Sequence, residues 1–244
     1  MSSTQRYAAL FRLPAGARLG DRYRVCELLG TGWEGVVYLV EEVGTGVQRA
    51  AKIWFPNRNP RGNALRHYAR KLDRLKSCPV VMQYHHSDRA ELDGQSVRFM
   101  IAEYLDAMSL TELLKRQRGR RFGEFEALSI LHSLAVGLEP IHHMGEYHGD
   151  LHMDNILIRR HGLRYEVKTL DFFNQGRTTA EHRLDDVVDL LRIYRDLLGG
   201  TARYAKLSPQ ARSLICGLRR NKIAAHSRSA GMLRVRIENL EWDA

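Results

Sequence analysis

Apolar and polar positions alternate strand-like in the N-terminal part of the chain and turn to helical spacing further on. Tyr23, Val25, Leu28 and Leu29 lead into a glycine-rich turn, and Val36-Val37-Tyr38-Leu39-Val40 follows. These β-branched and aromatic residues predict two strands. Val43-Gly44-Thr45-Gly46-Val47 reads as a hairpin turn, and residues 50–55 read as a third strand closed by Pro56 and Pro60.

Leu65, Tyr68, Leu72 and Leu75 recur at helical spacing and predict a helix over residues 63–76, ended by Pro79. Residues 80–85 and 97–103 predict two more strands, joined at Asp93-Gly94. From Ser109 the pattern is mainly helical. Ser109 and Glu112 form an S-x-x-E capping box. Phe125, Leu128, Leu131, Leu138 and Ile141 predict a long helix over residues 124–143. Short strands are expected at 155–158 and 165–170, then helices near 181–198 and 208–220. Strands first and helices afterwards imply an α+β, two-lobed architecture. The expected division is an N-terminal arm at 1–20, an N-lobe at 21–104 and a C-lobe at 105–244.

Composition narrows the class of protein. A chain of 244 residues with 44% hydrophobic and 27% charged residues has enough apolar content for a packed core, which excludes a mostly disordered chain. The formal net charge is +10, which favours acidic or phosphate-bearing partners. Cys26, Cys78 and Cys216 are far apart and odd in number, so neither a disulfide framework nor a Cys-rich zinc site is expected. No apolar run approaches the roughly 18 residues of a membrane span, and the start is a poor signal peptide. A cytoplasmic protein is the expectation.

Four motifs carry the candidate chemistry. Gly30-Thr31-Gly32-Trp33-Glu34-Gly35-Val36-Val37 has the pattern G-x-G-x-x-G-x-V. Such glycines let backbone amides approach phosphate oxygens, although a plain glycine hairpin has the same pattern. A dinucleotide fingerprint would need a helix after the glycines, and β-branched residues follow instead. Lys52 lies in an apolar strand, 17 residues after Gly35. Next comes His148-Gly149-Asp150-Leu151-His152-Met153-Asp154-Asn155. Here Asp150 suits orientation or deprotonation of a hydroxyl, and Asn155 suits magnesium. Finally Lys168-Thr169-Leu170-Asp171-Phe172-Phe173 ends an apolar strand on an acid.

In this order and spacing the motifs resemble the protein-kinase-like superfamily, over residues 23–198 with a weaker match beyond. The resemblance implies that Gly30, Gly32 and Gly35 cover the ATP phosphates and that Lys52 contacts them. It implies Asp150 as the catalytic acceptor of the hydroxyl proton, and Asn155 and Asp171 as ligands of Mg2+, with Mn2+ as a substitute. Ile101-Ala102-Glu103-Tyr104-Leu105 resembles the hinge, with backbone groups of Glu103 and Leu105 on adenine and Ala102 as gatekeeper. Val37, Ala50 and Leu157 are implied as further ATP-binding residues. Asp186 resembles the buried aspartate that braces the catalytic loop. The activity implied is phosphoryl transfer to a protein Ser or Thr. Alternatives are a small-molecule or sugar kinase and a nucleotide-binding pseudokinase that acts by docking.

The chain departs from the family pattern in four places. No Glu occurs between Glu42 and Glu91, so the helix that should supply the partner of Lys52 has only Asp73. Either Asp73 substitutes, or Lys52 has no such partner. Gly149 stands where regulated kinases have Arg, which implies activity independent of activation-loop phosphorylation. Phe173 replaces the glycine of the metal motif, removing a permissive backbone position. Only 14 residues separate Asp171 from Asp186, and no A-P-E segment occurs. His152 replaces a typical lysine, as in many small-molecule kinases.

Charge runs and paired histidines complete the reading. Arg58, Arg61, Arg66, Arg70, Lys71, Arg74 and Lys76 decorate the first helix, and Lys115, Arg116, Arg118, Arg120 and Arg121 form a second basic run. Both read as solvated surface, with docking of an acidic protein, a nucleic acid or a phospholipid surface as the functional alternative. No DNA-binding motif accompanies them. His85-His86 and His142-His143 are not read as metal sites, the first pair because strand neighbours point to opposite faces. Thr178 and Thr179 are candidate autophosphorylation sites or plain loop residues.

Overall fold

A computed structural model describes residues 11–92, 94–162, 164–172 and 179–241. Phe173 and Thr178 lie outside the described residues, as do Asp93 and residues 1–10 of the expected arm. Strand β1 (Arg18–Leu19) leads into β2 (Tyr23–Thr31), β3 (Gly35–Glu42) and β4 (Gln48–Trp54). Helix α1 (Asn63–Arg74) and strands β5 (Tyr84–Leu92) and β6 (Gln95–Glu103) follow. The remainder runs β7 (Met108–Ser109), α2 (Leu110–Arg116), α3 (Glu124–His143), β8 (Ile156–His161) and β9 (Arg164–Thr169). Then come α4 (Ala180–Leu197), α5 (Pro209–Ile215), α6 (Arg220–His226) and α7 (Ala230–Glu238).

The chain divides into two units, Met1–Lys76 with Met82–Leu105, and Ser77–Val81 with Asp106–Ala244. The first is built on an antiparallel sheet ordered β1-β2-β3-β4-β6-β5. Alternation decides its faces: Val36, Tyr38, Val40, Ala51 and Ile53 enter one apolar cluster. Phe11 and Leu19 join that cluster, and Tyr38 Oη donates to the Phe11 carbonyl at 2.6 Å. Phe11 and Leu19 thus anchor residues 11–20 to the core of this unit. The apolar residues of this segment are too few and too scattered to show a period, so only the packing reveals the role.

The second unit is mainly helical, with a small sheet ordered β7-β8-β9. Helix α3 carries the largest apolar face, including Leu131, Leu134 and Leu138, and packs against α4 and α7. Ser109 caps α2 by accepting from the Glu112 N–H at 3.1 Å.

Two expected elements need correction, and one helix was not expected. Of residues 80–85 only Tyr84 and His85 lie in a strand, β5, which runs on to Leu92. Val80 and Val81 are buried in the second unit instead, where Thr169 N–H donates to the Val80 carbonyl at 2.8 Å and Val81 bridges to Thr169. The helix expected over 208–220 is broken, because Cys216, Gly217 and Leu218 all take left-handed backbone angles. Helix α7 was not foreseen, since its residues alternate apolar and basic and show little helical period.

Candidate active site

Each unit holds one set of the expected site residues. In the first unit, Val37 pairs with Lys52 and Leu39 with Ala50 across the β3–β4 ladder. Val37, Ala50 and Lys52 therefore share the sheet face opposite the apolar cluster. Met100 and Ala102 of β6 pair with Lys52 and Ala50 and extend that face. Glu103 donates its N–H to the Gln83 carbonyl at 2.9 Å, and its side chain accepts from the Gln83 N–H at 2.8 Å. Leu105 is the last residue of this unit.

The glycine loop is pinned to its own sheet. Gly32 N–H donates to the Gly35 carbonyl, and Phe55 N–H donates to the Glu34 carbonyl, both at 2.9 Å. A Cβ on Gly35 would come within 2.1 Å of the Ile53 carbonyl oxygen, so packing alone demands glycine there. Gly30 has nothing within 4 Å of such a Cβ, and Gly32 only the Gly35 carbonyl at 3.9 Å. Neither has a positive φ. Their glycine identity has no cause within the fold, which fits close approach of a ligand such as a phosphate.

Lys52 is 9% exposed. Its Nζ lies 3.2 Å from Glu34 Oε2 and just over 5 Å from the ring centres of Trp54 (5.2 Å) and Tyr68 (5.3 Å). Asp73, the candidate substitute on α1, is exposed and pairs with Lys76 at 3.1 Å. Glu34, a close partner of Lys52, thus stands at a position that the motif pattern treats as variable, and sequence reasoning missed it.

In the second unit the catalytic-loop motif lies between α3 and β8. Asp186 on α4 is fully buried. Its carboxylate accepts from His148 N–H at 2.7 Å, Gly149 N–H at 2.8 Å and His142 Nε2 at 3.0 Å. Burial pushes this carboxyl upward, but the His142 bond, the His148 charge and the backbone donor together hold it below the usual carboxylate range. His142 Nδ1 accepts from Ala230 N–H at 3.0 Å, which fixes the proton on Nε2 and ties α7 to the same network. Sequence alone places His142 near the end of a predicted helix and assigns it no role in a site. Its inward orientation left no mark in the sequence beyond an apolar neighbourhood.

Gly149 has φ 83, a left-handed angle that glycine alone adopts readily. The His148 and Phe172 rings pack with centroids 4.4 Å apart and planes tilted by 35°, joining the catalytic loop to the metal motif. Asn155 is 9% exposed and donates through Nδ2 to the Asp150 carbonyl at 3.0 Å and to Asp150 Oδ2 at 3.3 Å. With Nδ2 so engaged, Oδ1 is the acceptor end of the amide that suits a metal ion. Leu170 N–H donates to the Asn155 carbonyl at 2.8 Å, so Asp171 follows directly on a residue bonded to Asn155. Asp171 has φ 53, a strained angle for a non-glycine residue and one that clusters at functional sites. Leu157 of β8 is half-buried and pairs with Lys168. His152 Nε2 lies 3.8 Å from Asp150 Oδ2. Thr179 caps α4 by accepting from His182 N–H at 3.4 Å.

Hard oxygen donors on Asn155 and Asp171 suit magnesium, which takes one or two protein oxygens and completes its shell with phosphate and water. Among the described residues no group of three or more His, Cys, Asp or Glu forms a separate metal site. No helix among them is long and apolar enough to cross a membrane.

A β-rich unit with a glycine loop and lysine, and a helical unit with this loop, define a kinase-type fold. Residues 23–193 match the protein kinase domain family, and the chain belongs to it. It is 29% identical over 157 residues to a protein named serine/threonine-protein kinases drp72 of Corynebacterium efficiens, covering 63% of this chain and 29% of that one. It is also 29% identical over 158 residues to a probable serine/threonine-protein kinase of Streptomyces coelicolor, covering 64% of this chain and 23% of that one. The chain thus spans less than a third of either relative. The crystal structure of the Mycobacterium tuberculosis PknI kinase domain is similar in fold, with TM-score 0.66, 20% identity and coverage of 93% of this chain and 96% of that one.

Proposed function

We propose that the chain is a Ser/Thr protein kinase that transfers the γ-phosphoryl of ATP to a protein hydroxyl. The observation that carries this reading is the bonded set in the second unit. Asn155 clamps Asp150, Leu170 ties Asp171 to Asn155, and Asp186 braces the loop from below. Asp150 would accept the hydroxyl proton as oxygen bonds to phosphorus and the bridging bond to the leaving ADP breaks. Asn155 and Asp171 would hold magnesium, which neutralises phosphate charge when bound. Lys52 and the amides around Gly30, Gly32 and Gly35 would position the phosphates; Val37, Ala50 and Leu157 would contact the nucleotide, and Glu103 and Leu105 would meet adenine. Positioning and charge neutralisation supply most of the rate in such a transfer.

The substrate we favour is acidic. Lys115, Arg116, Arg118, Arg120 and Arg121 are all exposed, in support of that choice. A cytoplasmic setting belongs to the same reading, and Cys26, Cys78 and Cys216 are free thiols.

Transfer of labelled γ-phosphate with magnesium, from wild type and Asp171→Ala, tests the proposal. The protein is assayed alone and with cell extract fractionated by size. Label on protein that disappears in Asp171→Ala is the expected result. Label confined to small molecules would overturn the protein-kinase reading. Nucleotide binding without any transfer would replace it with a docking pseudokinase.

A further inference from the structure

We propose that Glu34 is the positioning residue for Lys52, doing from the glycine loop what helix α1 has no glutamate to do. The inference rests on the kinase reading of Lys52. Helix α1 has the sequence NALRHYARKLDR, whose single acid, Asp73, is spent on Lys76 at 3.1 Å. The face of α1 nearest Lys52 presents Tyr68, whose ring centre is 5.3 Å from Nζ. An aromatic ring attracts the ammonium but gives it no fixed hydrogen-bond direction. A carboxylate does, and Glu34 Oε2 lies 3.2 Å from Nζ.

Burial makes the partner necessary. The Lys52 side chain is 10% exposed, and an ammonium so far out of water is costly without an opposite charge beside it, which Glu34 supplies. Glu34 is well held for the task. Its carbonyl accepts from Phe55 N–H at 2.9 Å, and its neighbour Gly35 sits against the Ile53 carbonyl with no room for a side chain. The carboxylate therefore extends from a backbone anchored against the C-terminal end of strand β4. An ammonium has three donors, so a bond to Glu34 is compatible with bonds to phosphate oxygens.

This arrangement has a consequence for control. The group that orients the lysine rides on the loop that covers the phosphates, and the pair lies within a few residues of one sheet. Ordering the loop and orienting the lysine become one event. Moving α1 would not break the pair, because α1 does not supply the carboxylate.

Two measurements on the full chain test the proposal. The first is acylation of Lys52 by an N-hydroxysuccinimide ester, read by mass spectrometry, in wild type and Glu34→Gln. Replacing the charge-assisted bond by a weaker neutral one frees Nζ and is expected to raise labelling of Lys52 about threefold. Unchanged labelling would overturn the ion pair, whatever the protein's activity. The second is binding of a fluorescent ATP analogue with magnesium, together with KM and kcat for phosphoryl transfer. Glu34→Gln is expected to weaken nucleotide binding about tenfold, because an amide oxygen accepts from Nζ without the charge of a carboxylate and orients it less firmly, and to lower kcat as well. Adding Tyr68→Glu to that variant restores the carboxylate from the helix side and is expected to recover most of both losses. A purely structural role for Glu34 would show no such rescue and would overturn the assignment. Tighter nucleotide binding in Glu34→Gln would also overturn it, by making Glu34 a competitor of phosphate. If wild type binds no nucleotide, the kinase reading itself falls, while the labelling result still reports on the pair.

Discussion

The two units hold their site residues by different means. In the first, the sheet does it. Strand register puts Val37, Ala50 and Lys52 on one face, and a loop anchored to the adjacent strand brings Glu34 to Lys52. All of this is local in sequence, and much of it is half-exposed. In the second, a buried polar network does it. Asp186 gathers His142, His148 and Gly149, and His142 reaches on to Ala230. These partners come from three helices and a loop far apart along the chain. A sheet face tolerates single changes, because the ladder keeps its register. A buried network does not, because each member left alone is an unpaired polar group without water.

The largest effect is therefore expected at Asp186. Asp186→Ala removes a carboxylate that three donors share, and should destabilise the protein by about 3–5 kcal/mol in urea unfolding. Its pH dependence sharpens the point. Because the folded carboxyl is held below its ordinary value, its stabilisation is complete above the unfolded value of about 3.9 and is lost as pH falls through the folded one. The stability gap between wild type and Asp186→Asn should hold steady from neutral pH and shrink only in stronger acid. A loss at mildly acidic pH would show that some other group supports the loop.

A smaller effect is expected in the glycine loop, and it separates packing from ligand binding. Gly35→Ala forces a Cβ against the Ile53 carbonyl and should cost about 1–3 kcal/mol by thermal melting. Gly30→Ala meets nothing within 4 Å and should change stability by less than about 0.5 kcal/mol, while weakening nucleotide binding. Equal destabilisation by the two would mean that the loop is held more uniformly than its contacts indicate. The smallest effect is expected at Ser109, where the single cap bond to Glu112 N–H makes Ser109→Ala worth about 1 kcal/mol in a melting curve.

Local patterns made much of the fold legible. Alternation in β3 and β4, the glycine turn between β2 and β3, the 3.6-residue spacing of α3 and the cap at Ser109 are each decided by neighbours a few residues away. The ordered motifs around Lys52, Asp150, Asn155 and Asp171 were legible for the same reason, since each is a short run with its own backbone requirement.

What the sequence could not specify depends on distant residues. Val80 and Val81 look like a strand but pack beside Thr169 in the second unit, because a β-branched pair is equally suited to a ladder or a core. The turn at Cys216–Leu218 interrupts an apolar pattern that would otherwise continue a helix. Glu34 was legible as a letter between two glycines but not as the partner of Lys52, since its contact depends on how the loop is anchored to β4. His142 was legible as a helix-end histidine but not as the link between Asp186 and Ala230. Periodicity and motif spacing report what one segment prefers. Which carboxylate faces which cation, and which histidine is turned inward, is decided only when segments pack and water is excluded, because only then does an unpaired polar group become costly.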